Sequence, residues 1–208
     1  MQEKLEKAWQ LFDIGDYAAS EEIYLECLKK TDEDDYENYA SVLMGMIYTQ
    51  SYMEKYDEAR KYANHLIEIA PNDEEKHIAL HQAGMVERMA GRYDDALKFF
   101  QQEAEIIDVA FSEDDMRIAA NLYEQAYVNM KKGILDKAEK IMNLSLQHAK
   151  KSEDAMCIGC AYRGLGEIMG MCGNTIQARN YFEQAIAAFE LAGDSIAVDE
   201  VKAMLAEN

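Results

Sequence analysis

Along this chain apolar and small residues recur at helical spacing, and no segment alternates apolar and polar with period two. The pattern predicts an all-α protein. Its periodic segments place ten helices at about 2–14, 17–30, 34–53, 56–70, 73–90, 93–109, 113–132, 135–150, 153–172 and 175–192. An eleventh, at about 195–206, carries Ala197, Val198, Val201, Met204 and Leu205 on one face, with Asp199, Glu200 and Lys202 largely opposite. A helix of that kind covers the open end of a stack with its apolar side.

The breaks between helices repeat a phrase. Residues 15–24 read "GDYAASEEIY", 91–100 "GRYDDALKFF" and 173–182 "GNTIQARNYF". Gly15, Gly91, Gly133 and Gly173 are each followed five positions on by Ser20, Ala96, Ala138 and Ala178, and nine positions on by Tyr24, Phe100, Met142 and Phe182. A further copy, "EKYDEARKYANHL", has Glu54 in the glycine slot, Ala59 in the small slot and Ala63 in the large one. The spacings are 39 (15 to 54), 37 (54 to 91), 42 (91 to 133) and 40 (133 to 173). A nearly constant period of this size marks a stack of helical hairpins, none of which can bury its apolar face alone. Small residues let neighbouring backbones approach, and large ones fill the space between hairpins. Gly91 and Gly173 suit a left-handed residue just past a helix end. Asp16 and Asn174 then suit N-caps of the following helix. Ser112–Asp115 and Thr31–Asp34 have the spacing of capping boxes at the starts of first helices.

Upstream of these phrases stand "SVLMGMIY" (41–48), "LHQAGMVE" (80–87) and "YRGLGEIM" (162–169), and Pro71 falls where a second helix should stop. With the A-x3-F half of each phrase they approximate W-x2-L-G-x2-Y…A-x3-F…P. In this the chain resembles the tetratricopeptide-repeat family from residue 1 to about 193. Ala8 and Ala126 replace the first-helix glycine in the first and fourth copies. The long repeats look like those of kinesin light chain and of the Rap and PlcR-like bacterial peptide receptors. The resemblance implies a right-handed α-solenoid in a single domain, 1–208. Its repeats would be about 1–33, 34–72, 73–111, 112–151 and 152–193, with a capping helix at 195–206.

It also implies that first helices line a concave groove through repeat positions 2, 5, 9, 12 and 13. Counted from Met1, Asn38, His77, Ala119 and Gly159, these positions give Leu5, Trp9 and Phe12, then Tyr39, Val42, Met46, Thr49 and Gln50. His81, Met85, Arg88 and Met89 follow, then Tyr123, Tyr127, Met130 and Lys131, and last Cys160, Arg163, Glu167 and Met171. Aromatic, Met and Arg residues are those enriched at binding surfaces, and the only Trp is among them. Flexible thioethers suit a surface that adapts to a bound chain. Arg88, Lys131 and Arg163 would attract acidic side chains or a terminal carboxylate. The subclass that clamps a carboxylate with Lys and Asn at positions 5 and 9 does not fit, since Leu5 and Trp9 stand there.

Composition narrows the functions. A net charge of −19 repels nucleic acid and anionic lipid. No stretch approaches the ~18 uncharged apolar residues of a membrane helix, and "MQEKLEKAWQLF" lacks a signal peptide's apolar region. A cytoplasmic protein with reduced thiols is expected. "CIGC" (157–160) has no second ligand pair, so it reads as small packing residues rather than a metal or redox site. His77 and His81 share a helix face, but the metalloprotease Glu is missing. "GLGEIMG" (164–170) has no preceding strand and reads as close helix packing, not a dinucleotide loop. The sequence thus predicts no catalytic residue, cofactor or metal. It predicts a non-catalytic module that binds a protein or peptide in its groove. The second reading is an assembly subunit, for instance a homodimer, joined through the terminal helix or an edge.

Overall fold

The computed structural model describes residues 1–207. Among them it contains eleven α-helices and no strand: α1 (Gln2–Asp13), α2 (Tyr17–Leu28), α3 (Tyr36–Tyr52), α4 (Tyr56–Ile69), α5 (Asp73–Met89), α6 (Tyr93–Ala110), α7 (Asp115–Lys131), α8 (Leu135–Ser152), α9 (Ala155–Met171), α10 (Thr175–Ala192) and α11 (Ser195–Glu207). They form helix–turn–helix pairs in chain order. The chain divides into two compact units, Met1–Glu103 and a second beginning at Ala104, with the boundary inside α6.

The turn slots carry left-handed residues, as the phrase requires. Gly15, Gly91, Gly133 and Gly173 have φ of 81°, 71°, 75° and 76°. Glu54, in the same slot, has φ 59°. It closes the same turn as Gly91: Lys55 N–H donates to Gln50 O (2.8 Å) just as Arg92 N–H does to Glu87 O (2.8 Å). A Cβ in this region costs about 1–2 kcal/mol, of which glycine's greater unfolded-state freedom cancels about half. Glu54→Gly is therefore expected to stabilise the protein by about 0.5–1 kcal/mol. An unchanged or lower urea midpoint would show that the Glu54 side chain compensates its own strain.

Helix starts follow local acceptors. The side chains of Asp16, Asn72, Asp114, Asp154 and Asn174 accept from the N–H three residues on. Two expected capping boxes do not form. Asp114 stands nearer the first turn of α7 than Ser112 and takes the N–H of Arg117. Thr31 instead donates back to Cys27 O at the end of α2 (2.9 Å). Ala70, before Pro71, is extended (ψ 119°) and ends α4, because the proline ring excludes the helical conformation there.

Each unit is cored by small–large pairing. In the first unit the Phe100 ring lies over Gly84, where an added Cβ would come within 2.4 Å of it, and the Tyr24 ring lies over Gly45, where an added Cβ would come within 2.1 Å. Leu43, Ile47, Ala59, Ala63, Leu66 and Val86 fill the space between α3, α4 and α5. In the second unit Phe182 covers Gly166 and Met142 covers Gly164. There α11 buries Ala197, Val198 and Val201 in the core shared with Phe189.

Candidate binding faces

In the first unit, the side chains left accessible on α1, α3 and α5 form one face. Trp9 (42% exposed) stacks on Phe12 at 5.2 Å and meets Tyr48 edge-on at 5.6 Å. Phe12 also contacts Tyr17 and Tyr52, and those two meet each other at 5.5 Å. Five rings are thus held together with Trp9 and Tyr52 open to solvent. Beside them is a cleft of about 700 Å³ lined by Trp9, Tyr36, Glu37, Ala40, Ser41, Met44, Tyr48, Glu75 and Ile78. On α5, His81, Met85, Arg88 and Met89 are all half-buried. His81 Nδ1 lies 3.0 Å from the buried Glu103 carboxylate, and Arg88 donates to the Met85 sulfur (3.2 Å).

The α3 face corrects the sequence reading. Met46 and Val42 are fully buried with Ala8, Tyr24 and Cys27. Thr49 lies against the Ser20 hydroxyl (3.4 Å), and Gln50 donates to Glu21 (2.7 Å). Tyr39 packs toward α4, its hydroxyl 3.3 Å from His65 Nε2. The accessible stripe is Glu37, Ser41, Met44, Tyr48 and Tyr52 instead. The reason is register. Ala8, Gly84, Ala126 and Gly166 stand seven residues before their turn residue, but Gly45 stands nine before Glu54. Gly45 receives the ring of Tyr24 from the preceding helix, the role that Gly164 plays for Met142. Counting back from the turn, rather than anchoring on Gly45, brings Ser41, Met44, Tyr48 and Tyr52 to the groove positions.

In the second unit the face is polar and internally bonded. Tyr123 and Tyr127 lie 6.0 Å apart, and the Lys131 ammonium sits 4.9 Å from the Tyr127 centroid. Arg163 donates to Tyr123 OH (2.9 Å) and reaches Glu200 (3.5 Å) and Glu167 (3.9 Å). Burial raises the Glu167 carboxyl pKa, opposed by the Arg163 and Lys131 charges. Met130, expected on this face, is fully buried with Met142 and Leu165. Arg163, expected to face an anionic ligand, is thus engaged by its own chain.

The candidate chemistry behaves as packing. Gly164 and Gly166 lie inside α9 under Met142 and Phe182. Burial, then the Asp154 charge, pushes the Cys157 thiol up to about 12, far from thiolate reactivity at neutral pH. No group of three or more His, Cys, Asp or Glu able to hold a metal occurs among the described residues. No helix among them is long and apolar enough to cross a membrane.

The sequence profile of the tetratricopeptide repeat matches residues 38–108 and 117–190. The chain belongs to the tetratricopeptide-repeat (TPR) family. No curated protein sequence matches it. Among solved structures it is similar to the apo form of RapI: TM-score 0.72, 17% identity, 96% of this chain and 73% of that one. It is similar to a putative kinesin light chain of Podosopora anserina with nearly identical TPR-like repeats: TM-score 0.69, 16% identity, 93% of this chain and 96% of that one. It is also similar to a Rap protein complexed with competence and sporulation factor: TM-score 0.67, 16% identity, 97% of this chain and 69% of that one. At these identities the likenesses show a shared TPR fold.

Proposed function

We propose that this TPR chain is a non-catalytic interaction module that holds a peptide or an extended segment of a protein partner on its first-helix faces. The observation that carries the reading is the half-exposed set of Trp9, Met44 and Tyr48 around the cleft of the first unit. A helix that faced only water would not keep large apolar side chains together there. Aromatic anchors flanked by pliable thioethers are what a bound chain uses. The Rap protein solved with competence and sporulation factor gives the same fold in a complex. Self-association has less support, because the apolar side of α11 is buried within its own unit.

Peptide display against the full-length protein tests this. Selected peptides should perturb the fluorescence of the single Trp. Trp9→Ala with Tyr48→Ala should weaken capture about tenfold or more, read by polarisation of labelled peptide. Peptides that bind the double variant undiminished would move the site off this face.

A further inference from the structure

The cleft of the first unit has a sign of charge as well as an apolar floor. Met44, Tyr48, Ile78 and Trp9 supply apolar surface, Glu37 and Glu75 stand among them, and among the described residues no Lys or Arg lines it. Glu75 accepts a hydrogen bond from Tyr36 OH at 3.2 Å. Burial first, and then the Glu75 charge, pushes the pKa of that hydroxyl up to about 12. On the flanking helices, Lys4 is held by Glu26 (2.6 Å), and Lys7 on α1 and Lys76 on α5 are exposed and lie outside the cleft lining. Two carboxylates bordering apolar surface repel an acidic segment and attract a cation, more strongly than they would in open water. The Trp face adds attraction for an ammonium or guanidinium group. The net charge of −19 has the same sign.

Building on the binding reading above, we propose that this cleft selects a segment in which a lysine or arginine stands beside a large apolar side chain. The apolar side chain packs against Met44, Tyr48 and Ile78. The cation lies between Glu37 and Glu75, over the open part of the Trp9 ring. This reverses the acidic partner that Arg88, Lys131 and Arg163 suggested from sequence.

Labelled peptides of equal length that differ only in central Lys-Leu, Gln-Leu or Glu-Leu pairs provide the test, titrated into the full-length protein. The Lys-Leu peptide should bind about tenfold or more tighter than the Glu-Leu peptide at low salt. The preference should shrink in high salt through screening. Glu37→Gln with Glu75→Gln should bring the ratio to within about threefold, and Glu37→Lys with Glu75→Lys should invert it. Circular dichroism checks that both variants are folded; should the Lys pair unfold, the Gln pair still decides. Equal binding of all peptides, or a preference kept in the Gln pair, overturns the charge selectivity and leaves the binding reading standing. If no peptide binds and Trp9 fluorescence never moves, both fall.

Discussion

Phe100→Ala is expected to cost about 3–5 kcal/mol, the range for emptying a fully buried aromatic site. The ring is 0% exposed and fills the gap that Gly84 leaves between α5 and α6. Gly84→Ala should also destabilise, by about 1–3 kcal/mol, because its methyl would meet the fully buried ring at 2.4 Å. The two changes compensate. With the ring gone, the methyl enters the vacated space, so the double variant should cost less than the sum of the singles by about 0.5–3 kcal/mol. Urea denaturation of the four proteins, followed by circular dichroism, measures this. Additive costs would mean that Gly84 is not small on account of Phe100.

Arg163→Ala is expected to cost about 2–3 kcal/mol, as hydrogen bonds to charged groups do. Its guanidinium ties α9 to Tyr123 on α7 and to Glu200 on α11, and it neutralises Glu167 on its own helix. From sequence the side chain reads as facing an acidic partner, which gives it no part in folding. The structure predicts the reverse. Arg163→Lys, which keeps the charge but not the fork of donors, should fall between. The deficit should also depend on pH. Burial already raises the Glu167 pKa, and losing Arg163 removes a charge that holds it down. A carboxyl whose folded pKa lies above its unfolded value gives up stability as pH rises through that interval. The Arg163→Ala deficit should therefore shrink as pH is lowered toward the ordinary carboxylate range. A deficit that stays constant or grows on acidification would place the lost interaction at the neutral Tyr123 hydroxyl instead.

The first-helix faces were only partly legible in the sequence. Trp9, Met85, Tyr123 and Tyr127 are accessible or half-buried where the repeat count puts them. Met46 and Met130 are buried, and the accessible or half-buried Tyr48, Tyr52 and Ile78 stand outside the expected set. The α3 error comes from a single anchor. Successive residues turn by about 100° around a helix, so a count two residues out rotates by about 200° and exchanges the buried face for the open one. The turn residue Glu54 was the better anchor, because its left-handed conformation is imposed by the turn itself.

What the sequence determined by itself was whatever short-range chemistry decides: which segments are helical, where the chain turns, which slots are small and which large. Hydrogen bonds four residues apart, the φ of a turn residue and an acceptor before a first turn are local, so each is written beside the residues it governs. What only the tertiary structure decided was the phase of each helix about its axis and the partners of each charge. Tyr24 reaches Gly45 from another helix, and Arg163 meets Tyr123 and Glu200 across 40 and 37 residues of sequence. Such pairings depend on which side chains fill the space between helices, and spacing along one helix does not encode that.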